Sequence, residues 1–207
     1  MYFDKPLQTY IDELASSQPT PGGGSASALG GAMGAALASM VARLTLNKPE
    51  YADVREQIED LLQQTETIRA RFQLLMQADI DVYGQLSKSY KMPRGSDEER
   101  TARSAAIQQA LKSAALVPLE MVERSAQLVQ CCQRIALIGN IQVLSDVATG
   151  TLLASSAGAG AAWMVRANLQ SMKDEELVNE LSDRLSTALN LITVGSQQVL
   201  EVVGERA

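Results

Sequence analysis

The chain has 207 residues, 46% hydrophobic and 20% charged, which suits one ordinary globular domain over residues 1–207 and excludes wholesale disorder. A net charge of -6 and a pI near 4.8 argue against a nucleic-acid-binding surface. Histidine is absent, which removes Ser-His-Asp and Cys-His catalysis, His-ligated zinc and the commonest base near neutral pH.

In chain order, helical spacing recurs and period-2 alternation is hard to find, so the expectation is all-α. Leu7, Ile11 and Leu14 suggest a short first helix. The loop from Ser16 to Gly24 follows, holding Pro19, Pro21 and three successive glycines. Ser25 then reads as the N-cap of a helix running to about Leu46. From Tyr51 to Tyr90 apolar residues at Val54, Ile58, Leu61, Ile68, Phe72, Leu75, Val82 and Leu86 predict one long helix, which stops near Met92-Pro93-Arg94-Gly95. Ser96-Asp97-Glu98-Glu99 opens the next, reaching about Ile138 with a kink expected at Pro118. Beyond Gly139-Asn140 lies a helix of small residues ending between Met164 and Leu169. The last helix spans Asp174 to Val203, with Leu177, Leu181, Leu185, Ala188, Ile192, Val199 and Val203 on one face. Long helices with short connections predict an up-and-down bundle.

Residues 15–42 and 147–165 carry no Asp, Glu, Lys or Arg. The second stretch is long enough for a membrane span, but Gly, Ala, Ser and Thr dominate it and the mean hydropathy of the chain is -0.04. Small residues allow close helix approach, so both stretches are read as central helices or a subunit interface, and a homodimer without membrane insertion is expected. The adjacent Cys131 and Cys132 give no disulfide framework, and no secretory leader is visible. The expected location is a reducing cytoplasm, with both thiols packed in a helix.

Three features could carry chemistry. Asp79 falls on the apolar stripe of the long helix, between Phe72, Leu75 and Met76 on one side and Val82, Tyr83 and Leu86 on the other. A carboxylate there is either a structural ion pair or an acid–base group with a raised pKa. Asp146, beside Ser145, is the lone charge between Arg134 and Arg166, and is either a helix-end charge or a second site carboxylate. The Gly22-Gly23-Gly24-Ser25 start leaves backbone N–H groups open to an anion, or simply permits tight packing. It lacks the spacing and lysine of a P-loop. Lys91, Arg94 and Arg166 are candidate anion partners. Trp163 reads as core.

The run Pro19-Thr20-Pro21-Gly22-Gly23-Gly24-Ser25 before a small-residue helix resembles the signature of the cyclodeaminase/cyclohydrolase family of folate enzymes. Asp79 with Val82-Tyr83, Lys91-Met92-Pro93-Arg94, Val117-Pro118-Leu119, Gly139-Asn140 with Ser145-Asp146, and Val165 with Asn168 resemble its further motifs in order, over roughly residues 5–175. Met164 stands where the family usually has Asn, Val82 where it has Ala, and Ile141 where a polar residue is usual. The resemblance implies an all-helical, dimeric, stand-alone enzyme that binds a reduced folate and uses no metal or other cofactor. It implies hydrolysis of 5,10-methenyltetrahydrofolate to 10-formyltetrahydrofolate, with Asp79 and Asp146 catalytic. Gly22, Gly23, Gly24, Ser25, Tyr83 and Lys91 are expected to meet the substrate, as are Asn140, Ser145, Arg166 and Asn168. Cyclodeamination of 5-formiminotetrahydrofolate is the alternative reaction, and a non-catalytic helical binding protein the alternative class.

Overall fold

The computed structural model describes residues 2–206, the side chain of Phe3 apart, and among them no strand occurs. Six α-helices carry the fold: α1 (Leu7–Leu14), α2 (Gly23–Leu46), α3 (Arg55–Tyr90), α4 (Asp97–Ile138), α5 (Leu144–Leu169) and α6 (Glu175–Arg206). Helix α2 lies between α3 and α5, and α4 packs on α3, α5 and α6. Ser39–Thr65 with Gly24–Asp79, Arg71–Glu120 with Gln64–Cys131, and Asn168–Ala114 with Gly158–Ser125 show α2 and α3, α3 and α4, and α4 and α5 running antiparallel. The all-α up-and-down bundle read from the sequence is the fold observed.

Three boundaries and one expected kink differ from expectation. Helix α2 begins at Gly23 with Gly22 as N-cap, and Ser25 is the third helical residue rather than the cap. Its Oγ accepts from the Gly22 N–H and donates to the Gly22 carbonyl, closing the turn from inside. The long third helix starts at Arg55 instead of Tyr51, because Pro49–Val54 forms a 3₁₀ segment in which Tyr51 leaves helical φ/ψ. Helix α4 runs unbroken through the buried Pro118. Helix α6 extends to Arg206, and Asp174 caps it by accepting from the Leu177 N–H. At Ser96 the acidic start forms a reciprocal capping box with Glu99.

The glycines of α2 lower its helix propensity by roughly 1 kcal/mol each relative to alanine, so packing must favour them. A Cβ on Gly31 would lie 2.5 Å from the Phe72 ring, which is wholly buried beneath it. A Cβ on Gly34 would lie 2.7 Å from the Gly150 carbonyl oxygen, so α2 and α5 cross backbone to backbone. By length and composition α2 could span a membrane, but half of its apolar window is buried in the bundle. The sequence raises that role at 147–165 instead. Among the candidate core residues, Leu7 and Ile11 are exposed and Tyr10 is the buried residue of α1. Cys131 and Cys132 are buried free thiols, as their packing reading required.

Candidate active site

Asp79 projects from α3 toward the first turn of α2. No Cβ could stand at position 24, because it would fall inside the Asp79 carboxylate. The glycine at 24 is therefore the space in which the carboxylate sits. Burial pushes the Asp79 carboxyl up to about 6, and the Ser25 backbone N–H, which favours the ionised form, offsets only part of that. The open N–H groups expected to meet an external anion thus already face one of the protein's own.

A cavity of about 180 Å³ opens beside it, lined by the Pro19-Thr20 and Gly22–Gly24 backbone, Asp79, Val82, Tyr83, Leu86, Ala114, Met164 and Asn168. Asp79 is the one charged group among these. Tyr83 is 44% exposed and forms part of the rim. Asn168 spends its Nδ2 hydrogens on the Ala114 and Met164 carbonyls, at 2.9 and 2.8 Å, which leaves Oδ1 to accept from a ligand. Behind the loop, the buried Tyr10 hydroxyl lies 3.2 Å from Ser25 Oγ. The sequence reading missed Tyr10. Its one signal was spacing: three residues after Leu7 and four before Leu14, Tyr10 lies on the apolar side of α1.

Several expected residues do not line this cavity. Lys91 caps the C-terminal end of α3 and is exposed, beyond Leu86. Arg166 is exposed and stacks at 4.9 Å over the Trp163 ring. Trp163 is itself 65% exposed, so its reading as core is corrected: it lies on the outer face of α5. Asn140, Ser145 and Asp146 stand at the opposite end of α5. Asn140 is buried, with its N–H donated to Thr45 Oγ1 and its Oδ1 accepting from the Gln142 N–H. Ser145 is exposed and Asp146 half-buried. At about 1.5 Å per residue, Asp146 and Asn168 are roughly 33 Å apart, so one chain does not bring the two carboxylates together.

A larger cleft of about 590 Å³ between α3 and α4 is lined by Asp60, Gln63, Gln64, Arg124, Cys131 and Arg134, among others. Its charges are already balanced: Arg124 pairs with Glu120, and Arg134 with Asp60. Burial pushes the Cys131 thiol up to about 11, which makes it a poor nucleophile. Glu120, held in its ionised form by Arg71 and Arg124, locks α4 to α3 midway between this cleft and Asp79.

The geometry of a raised-pKa carboxylate against a Gly-Gly-Gly helix start can be set beside known proteins. Residues 6–187 match the profile of the family described as Formiminotransferase-cyclodeaminase. A methenyltetrahydrofolate cyclohydrolase from Methylorubrum extorquens is 37% identical over 88% of this chain and 89% of its own. The formimidoyltransferase-cyclodeaminase of Sus scrofa is 31% identical over 95% of this chain, which spans only 36% of that longer protein. The crystal structure of a formiminotetrahydrofolate cyclodeaminase from Thermotoga maritima superposes with a TM-score of 0.90 at 27% identity, covering 99% of this chain and 98% of that one. A family profile covering most of the chain, and a relative similar along nearly its whole length, make the same assignment as the glycine-rich loop and Asp79: this chain belongs to the formiminotransferase-cyclodeaminase family.

Proposed function

We propose that this protein is a methenyltetrahydrofolate cyclohydrolase in which Asp79 is the acid–base group. The observation that carries the reading is a lone carboxylate, titrating near 6, in an otherwise uncharged cavity at a helix start. A base near neutral pH suits proton transfer to and from water. The substrate's amidinium carbon, between N5 and N10, is already electrophilic, and a carboxylate beside it also stabilises its positive charge. Water adds its oxygen to that carbon while Asp79 accepts the proton, giving a neutral tetrahedral adduct. The C–N5 bond then breaks as Asp79 returns its proton to N5. The adduct's hydroxyl proton leaves to solvent as the formyl carbonyl forms on N10. One water is consumed and one proton released, with no cofactor.

Similarity over nearly the full length of the cyclohydrolase relative favours hydrolysis, whereas the chain spans about a third of the Sus scrofa cyclodeaminase. Cyclodeamination asks the same of Asp79: a proton taken from N10 and one given to departing ammonia. The active unit is a homodimer, in keeping with the uncharged outer faces of α2 and α5, and two buried free thiols suit a reducing cytoplasm. The deciding experiment supplies 5,10-methenyltetrahydrofolate and 5-formiminotetrahydrofolate separately. Cyclohydrolase activity appears as enzyme-dependent loss of the methenyl absorbance. Release of ammonia from the second compound with no effect on the first would replace hydrolysis by cyclodeamination.

A further inference from the structure

Tyr10 does not line the cavity beside Asp79, yet its hydroxyl ends among the groups that hold that carboxylate. It is the buried residue of α1. The Tyr2 ring stands edge-on to it at 5.5 Å. A second cavity that Tyr10 lines is shared with Leu29, one turn past Ser25 on α2, and Met76, one turn before Asp79 on α3. The ring therefore lies beside the two helices that carry Ser25 and Asp79.

The Ser25 hydroxyl is fully buried and fully used. A hydroxyl has one hydrogen and two lone pairs. The hydrogen goes to the Gly22 carbonyl at 2.9 Å, and one lone pair accepts the Gly22 N–H at 3.2 Å. Tyr10, 3.2 Å away, is left the role of donor to the second lone pair. It keeps the proton this needs: burial holds its hydroxyl above the ordinary value, and the charge of Asp79 adds to that. Ser25 in turn meets Asp79 through its backbone N–H. One residue thus ties the loop with its side chain and the carboxylate with its main chain, so the hold on Oγ also sets the aim of the N–H.

Few other groups act on Asp79. Tyr83, on its own helix, stands at the rim of the cavity. From the elements packed around it, α1 supplies Tyr10, α2 the Ser25 N–H, α4 only Ala114, and α5 only Met164 and Asn168, which do not titrate.

Resting on the reading of Asp79 as the acid–base group, we propose that Tyr10 is a positioning residue of this site: by donating to Ser25 Oγ, its hydroxyl fixes the first turn of α2 so that the Ser25 N–H holds the Asp79 carboxylate. Losing that hold removes a donor from the ionised form and leaves burial less opposed, so Asp79 should then take up its proton at higher pH.

Tyr10→Phe tests this, because it keeps the ring and removes only the hydroxyl. The Asp79 carboxyl is titrated by NMR in protein carrying ¹³C-labelled aspartate, without folate, and identified by its loss in Asp79→Asn. The midpoint should lie near 6 in wild type and roughly 0.5–1 pH unit higher in Tyr10→Phe. Ser25→Ala should move it the same way, and the double variant no further, since both act through one contact. In kinetics, the Tyr10→Phe deficit in kcat/KM should be roughly three- to tenfold greater at pH 5 than at pH 8. A lowered Tm with an unmoved midpoint would make Tyr10 structural only and overturn the proposal. A double variant that moves by the sum of the two single shifts would also overturn it. A midpoint that moves while the kinetic limb does not, or a wild type inactive on both folates, would instead overturn the reading of Asp79 as the reacting group.

Discussion

Replacing Asp79 by Asn should make the protein more stable as it makes it inactive. The folded state raises the Asp79 carboxyl from 3.8 to about 6, mainly through burial. A carboxyl raised on folding contributes stability that is fully present below the unfolded value and is lost as pH rises through the folded one. Above pH 6 the wild type therefore holds a carboxylate that its surroundings disfavour. A shift of about 2 units at 1.36 kcal/mol each gives an upper bound of about 3 kcal/mol. Asparagine keeps the shape and an oxygen for the Ser25 N–H but carries no charge. Thermal unfolding of wild type and Asp79→Asn from pH 4 to 8 should show nearly equal Tm at pH 4. The variant should gain roughly 5–10 °C at pH 8, since 1 kcal/mol moves Tm by about 2–4 °C at this chain length. A gap that does not change with pH, or a variant less stable at pH 8, would refute the claim that Asp79 is ionised at a cost to stability.

The loop glycines should separate by position. Gly24→Ala must displace the Asp79 carboxylate and should abolish activity, whereas a Cβ at position 23 meets only the flexible Met164 side chain, at 3.7 Å, so Gly23→Val should fold normally while raising KM. Circular dichroism and steady-state kinetics on both variants check this. Gly34→Ala presses on the Gly150 carbonyl and should cost about 1–3 kcal/mol in denaturant unfolding with little change in kcat. Lys91→Met, at an exposed helix end, should raise KM for polyglutamated more than for monoglutamated folate, by an amount that shrinks with added salt. An equal fall in kcat on both forms would place Lys91 at the reacting atoms instead.

The helices could be read because their apolar spacing is regular and prolines fall between most of them. Asp79 could be read because it breaks that spacing. What surrounds Asp79 could not: Gly24 makes room for a side chain 55 residues away, and Tyr10 backs the loop from a helix whose outward face carries Leu7 and Ile11. Grouping Asp146 with Asp79 in one chain overlooked a length available from the sequence. Asp146 and Asn168 lie on one continuous helix, and 22 residues at about 1.5 Å each cannot meet. Trp163 was assigned to the core because a large aromatic in an uncharged helix normally belongs there. On α5 that rule fails, because the uncharged stretch also includes the helix's outer side, where Trp163 is exposed.

The central claim is that Asp79 moves the protons of the reaction, and the pH dependence of kcat/KM for 5,10-methenyltetrahydrofolate hydrolysis tests it most directly. Wild type should fall tenfold per pH unit below about 6, as the base becomes protonated. Asp79→Asn should be lower by roughly a hundredfold or more at pH 7.5 and show no limb near 6. An Asp79→Asn variant that keeps wild-type turnover, or retains the limb, would contradict the account.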